Sequence, residues 1–109
     1  MGELRKHKRF KVRLPAKIEV VSRDPQGETQ VVRAESGNIG LGGAFFHTLS
    51  PLPEGAPVKV DLALHFRNLV FPLNRWPLLR VQGRVLRSEP TGMAIRFEKR
   101  YRIVPHSPF

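Results

Sequence analysis

The chain has 109 residues, carries 19 lysines and arginines against 9 acidic residues for a formal charge of +10, and contains no cysteine. That length holds one domain with one core, and the lack of thiols excludes a disulfide framework and any thiolate zinc site. So large a cationic excess concerns partners rather than fold: phosphorylated ligands, nucleic acid or acidic surfaces.

Arg5, Lys6, Lys8, Arg9, Lys11 and Arg13 crowd one short segment in which Glu3 is the acid. Residues 1–9 are expected to form a flexible basic arm. Gly2 suggests myristoylation, but Lys6 stands where that motif wants Ser or Thr. No apolar run is long enough for a signal peptide or a membrane helix, so a cytoplasmic protein without membrane insertion is expected.

From Phe10 the sequence alternates with period two, the mark of a half-buried strand. Phe10, Val12, Leu14, Ala16, Ile18 and Val20 point one way, and Lys11, Arg13, Lys17 and Glu19 the other. Pro15 has no amide to donate, which places it at an unpaired edge position or a bend. Asp24-Pro25-Gln26-Gly27 reads as a turn. Residues 28–36 make a second strand, 36–43 a glycine-rich loop, and 44–48 a short apolar strand. Pro51, Pro53, Gly55 and Pro57 predict a rigid connection.

Val58, Val60, Leu62, Leu64 and Phe66 then alternate with Lys59, Asp61 and His65. Residues 68–77 are irregular, and Trp76 there either caps one barrel end or anchors a partner. Leu79, Val81, Gly83 and Val85 alternate with Arg80, Gln82 and Arg84. Glu89-Pro90-Thr91-Gly92 turns the chain, and Met93, Ile95 and Phe97 alternate with Ala94, Arg96 and Glu98. Residues 99–109 read as a basic, proline-bearing tail. Phe45, Phe46, Phe66 and Phe97 are assigned to the core, and Asp24 and Asp61 look isolated. Short strands with an apolar face, and little or no helix, predict an all-β protein closed as a barrel or small sandwich, because closure removes the edges that invite aggregation.

Two segments carry the chemistry. Arg5-Lys6-His7-Lys8-Arg9 gives an R-x-x-x-R spacing directly before the first strand, and Asn38-Ile39-Gly40-Leu41-Gly42-Gly43 leads a polar residue into a glycine-rich loop. With Leu14-Pro15, Gly83-Arg84-Val85 and Gly92-Met93-Ala94-Ile95-Arg96-Phe97, this ordered set resembles the PilZ domain family over nearly the whole chain. The resemblance implies a six-stranded antiparallel β-barrel over residues 10–98, preceded by the arm 1–9 and followed by the tail 99–109. It also implies a non-enzymatic receptor for cyclic di-GMP that acts on a partner protein in bacterial motility, biofilm or surface behaviour. In that family an arginine motif and a D/N-x-S-x-x-G motif hold the nucleotide. Arg5 and Arg9 match the arginines, Asn38 the Asp/Asn and Gly43 the final glycine, while Gly40 stands at the serine position.

The arginines have a physical case of their own. Cyclic di-GMP offers two phosphates and two guanines, and a guanidinium can fork onto a phosphate or onto guanine O6 and N7 where lysine offers a point charge. Glycines let backbone approach a ligand, and Asn38 supplies both a donor and an acceptor. Gly40 removes one neutral hydrogen bond, worth about 0.5–1.5 kcal/mol net, so weakened binding is expected. A second reading is a domain that works by protein contact alone; a third is a nucleic-acid-binding barrel, which would show a steep salt dependence. His7, His47, His65 and His106 lack metal-site spacing, and no paired carboxylates, nucleophile elbow or P-loop occur. No catalytic residue, metal or cofactor is therefore expected.

Overall fold

The computed structural model describes residues 10–11, 13–21, 30–64 and 77–104. Among these residues the alternating sequence becomes seven strands: β1 (Phe10–Lys11), β2 (Pro15–Val20), β3 (Val31–Ile39), β4 (Gly43–His47), β5 (Pro57–Ala63), β6 (Leu78–Glu89) and β7 (Gly92–Val104). They lie in the order β1-β3-β2-β5-β6-β7-β4 with every pairing antiparallel, and the further pairing of β3 with β4 closes β2 to β7 on themselves. This is the six-stranded antiparallel barrel expected, with β1 as an added strand along β3. Among the described residues there is no helix, and so none long and apolar enough to cross a membrane.

The interior follows the period-two phase. Ala16 and Ile18 of β2, Val58, Val60 and Leu62 of β5, and Met93 and Ile95 of β7 belong to one buried cluster with Ala44 and Phe46 of β4. Burying each of the larger side chains stabilises the fold by about 1.5–3 kcal/mol. Their neighbours Lys17, Lys59 and Arg96 take the other face of the pleat. Before β5 the chain turns tightly at residues 53–56. The Ala56 N–H donates to the Pro53 carbonyl at 3.2 Å, and Gly55 sits at φ +86°, a left-handed value that suits glycine.

The structure departs from the sequence reading in four places. The first predicted strand is two strands, β1 and β2, both lying along β3 with residues 12–14 between them. Pro15 opens β2, where a missing amide costs no ladder bond. Second, β7 does not end at Glu98 but continues to Val104, into the stretch read as a tail, because Leu78, Leu79, Arg80 and Val81 of β6 supply its partners. Third, β3 runs on to Ile39, into the stretch 36–43 read as a loop, so Asn38 stands in a strand; Phe66, Trp76 and the turn at Asp24 lie outside the described residues.

Fourth, Asp61 is not isolated. It stands directly opposite Arg80 in the β5–β6 register and accepts from Nε at 2.8 Å and from the second guanidinium nitrogen at 3.1 Å. The carboxylate is almost wholly buried, and the hydrogen bond to it raises the Arg80 guanidinium above its ordinary pKa. Taking one partner from a buried pair strands the other charge. Arg80→Ala is therefore expected to lower the unfolding free energy by about 3–5 kcal/mol. Replacing both residues with apolar side chains of similar volume should recover most of that loss. Urea unfolding of the two variants checks the difference.

Candidate functional site

The Asn38 loop begins with a change of phase in β3. Val32 and Ser36 are buried and Ala34 packs against the core, so strict alternation would carry Asn38 inward next. Instead Ser36 pairs with Phe46 and Ile39 with Ala44, which sets Gly37 and Asn38 together against Phe45 alone. This extra residue is a β-bulge, and it flips everything after it to the other face. Ile39 packs against the core, and Asn38 is exposed. The Asn38 side chain makes no hydrogen bond to a described residue.

Just before the bulge, Ser36 clasps the chain between β1 and β2. The Leu14 N–H donates to Ser36 Oγ at 2.9 Å, and the Ser36 N–H donates to the Leu14 carbonyl at 2.9 Å. Ser36 is fully buried, so this clasp is shielded from competing water. Beyond it β1 lies against the end of β3, with Phe10 opposite Ile39 and Lys11 opposite Asn38. Outside the clasp Arg13 pairs with Glu35 at 2.9 Å.

The loop itself is a hairpin fastened at both ends. The Gly40 N–H donates to the Gly43 carbonyl, and the Phe97 N–H of β7 donates to the Gly42 carbonyl, each at 2.9 Å. Gly43 is required by close approach: a Cβ there would run into the Ile95 carbonyl of β7. Around Gly42 no described residue lies within 4 Å of where a Cβ would stand.

Cations and an aromatic flank the loop. Arg96 stands opposite Gly43 on one side and Arg84 on the other. Both arginines are exposed; Arg84 donates to the Gly55 carbonyl at 2.9 Å, whereas Arg96 has no partner among the described residues. Phe45 corrects the sequence assignment: Phe46 fills the core, and Phe45, on the opposite face of β4, is half-buried with its ring 5.1 Å from that of His47 in an edge contact.

Of the residues read from the sequence, Asn38, Gly40 and Gly43 sit together on the β3–β4 hairpin. Arg5 and Arg9 lie outside the described residues, although β1 begins at the residue after Arg9. Sequence reasoning missed Ser36 and the position of Arg96 opposite Gly43. Nothing local distinguishes Ser36 from a loop serine; Arg96 was legible as an outward position of an alternating strand, but not as a neighbour of Gly43.

Ser36→Ala is expected to leave the buried Leu14 N–H without its acceptor and to cost about 1–3 kcal/mol. Amide exchange should then rise at Lys11 and Asn38 more than in β5, which hydrogen-exchange NMR would read. Gly43→Ala should destabilise by displacing β4 from β7, with the Phe97 and Gly42 signals shifting first.

No curated protein matches the chain at significant similarity. The sequence profile of the PilZ domain matches residues 3–104, a span that takes in the basic segment, all seven strands and the Asn38 hairpin. Domains of this family are typically ligand-binding rather than enzymatic, and they form a family of cyclic di-GMP receptors. With nearly its whole length matched, this chain belongs to the PilZ domain family.

Proposed function

We propose that the chain is a cyclic di-GMP receptor and adaptor, holding the nucleotide between the Arg5–Arg9 motif and the outer barrel wall at Asn38, Gly40 and Gly43. The observation that supports this most is the β1 register. Phe10, next in sequence to Arg9, is paired with Ile39, next to Asn38. Consecutive Cα atoms are about 3.8 Å apart, so the chain leaves Arg9 to enter β1 next to the end of β3 that carries Asn38, which supports a site shared by the two motifs.

Each group has a distinct role in this reading. Arg5 and Arg9 fork onto phosphate or onto guanine O6 and N7. Asn38, turned outward by the bulge and without a described partner, offers its amide as donor and acceptor. The backbone at Gly42, with no described residue within 4 Å of where a Cβ would stand, admits close approach, and Arg96 adds a guanidinium beside Gly43. Ligand held across β1, the hairpin and the arm changes the surface offered to a partner protein. No cofactor or metal takes part.

Titration calorimetry on the 109-residue chain is the direct test. Micromolar binding is expected, with Arg5→Ala and Arg9→Ala each weakening it about 10- to 100-fold, as loss of a charge-assisted bond predicts. Asn38→Ala should weaken it less. Gly40→Ser should tighten it by up to about tenfold, the worth of one neutral hydrogen bond. Absence of heat with cyclic di-GMP at high micromolar protein, unchanged by Gly40→Ser, would instead favour a module that acts by protein contact alone.

A further inference from the structure

The barrel closes around β4, but β4 is shorter than the strand it pairs with. Its five residues match β7 from Gly92 to Arg96, and the Phe97 N–H bond to the Gly42 carbonyl is the last rung on that side among the described residues. β7 nevertheless runs on to Val104; the register with β6 shifts over residues 98–100, and β6 again holds its other edge from Tyr101 to Val104. Over residues 98–104, a run of about 20 Å at strand rise, the β4-side edge of β7 has no ladder partner among the described residues. Such an edge presents a row of donors and acceptors to any strand that can lie along it.

The side chains here are also unsatisfied in the apolar sense. Tyr101 and Ile103 stand opposite Val81 and Leu79, side chains of the barrel interior, yet they are 62% and 63% exposed. They share a phase with the buried Ile95 and lack the cover that β4 gives Ile95. Arg102 is exposed between them. An added strand would therefore find main-chain bonds along the edge and apolar contacts on one face.

Charge decides what kind of strand fits. Lys99, Arg100 and Arg102 stand against Glu98 alone in this segment, on a chain of net charge +10. Cationic edges repel copies of themselves, the usual device against edge-to-edge association. The same charges favour an acidic segment. We propose that residues 98–104 of β7 are a docking edge for an extended acidic segment of a partner protein, which adds as a strand beside the Gly42 end of β4. The main chain supplies affinity, Tyr101 and Ile103 the apolar contacts, and exposed Arg102 the selectivity.

The test uses the 109-residue protein without nucleotide, so that its failure leaves the cyclic di-GMP reading untouched. The probe is a short synthetic peptide alternating glutamate with valine. Controls are its lysine-for-glutamate counterpart, a peptide of the same charge with proline at alternate positions, and a single-stranded oligonucleotide. By NMR the glutamate peptide is expected to shift amide signals at residues 98–104 and to slow their hydrogen exchange, with an apparent Kd of about 0.1–1 mM, as suits one short strand. The proline peptide, unable to donate along the ladder, should give no exchange protection. Arg102→Glu should weaken the glutamate peptide about tenfold and let the lysine peptide bind, a reversal that misfolding cannot produce. Ile103→Asp, with signal dispersion retained, should also weaken it. The proposal is overturned if the glutamate peptide leaves residues 98–104 unshifted at about 1 mM. It is equally overturned if the glutamate and lysine peptides act alike, or if the oligonucleotide alone produces the shifts.

Discussion

The architecture depends on a constraint of parity in β3. A strand has two faces, and a residue cannot choose its own without moving all those beyond it. Val32, Ala34 and Ser36 point inward, so an unbroken β3 would bury the Asn38 amide and expose Ile39. An amide in an apolar core without partners costs on the order of 1–3 kcal/mol, and β4 would meet β3 with its apolar residues out of phase. One extra residue between Ser36 and Ile39 resolves both problems. Gly37 occupies the bulge, where a Cβ would press against the His47 ring at 2.8 Å. Barrel closure through β3–β4 and the outward turn of Asn38 are thus consequences of one insertion.

How far this was legible in the sequence varies with how local the cause is. The β5 alternation of Val58, Val60 and Leu62 with Lys59 needs no other strand to be read and holds as far as Val60, but Asp61 and Ala63, on the face of Lys59, are buried too. The break between β1 and β2 was visible only as Pro15, because the clasp that makes it comes from Ser36, 22 positions from Leu14. Asp61 looked isolated since Arg80 is 19 positions away, and only the β5–β6 register brings them together. Phe45 and Phe46 are neighbours of equal hydropathy, and alternation requires one to face out. Pairing of Phe46 with Met93 and of Phe45 with Ala94 decides which. The last turn of β7 was hidden by its charges: Lys99-Arg100 reads as a solvated tail until β6 is placed beside it.

The candidate site follows the same division. The turn at Gly40 was legible because its residues are close in sequence and glycine marks its own turns, although Asn38 and Gly43 stand in the flanking strands. Their attachment to β7 was not. The Phe97 N–H bond to Gly42 and the fit of Gly43 against the Ile95 carbonyl make the hairpin part of the β4–β7 seam. A ligand that pulled on the loop would thus act on β7 through one hydrogen bond and one close contact.

Charge contributes little to holding this barrel and much to what it meets. The buried pair Asp61–Arg80 is part of the fold, whereas Arg13–Glu35 and Arg87–Glu89 are exposed, and exposed pairs contribute at most about 1 kcal/mol each. Arg96 has no described partner at all, and Arg102 stands beside Arg80, whose guanidinium is already engaged. Cations left unpaired on a folded surface repel one another and slightly oppose compaction. In the readings proposed above, their role lies outside the chain, in anions that approach it. The barrel places them along the hairpin and the far half of β7, so phosphate-bearing and carboxylate-bearing partners would be drawn to adjacent parts of one seam.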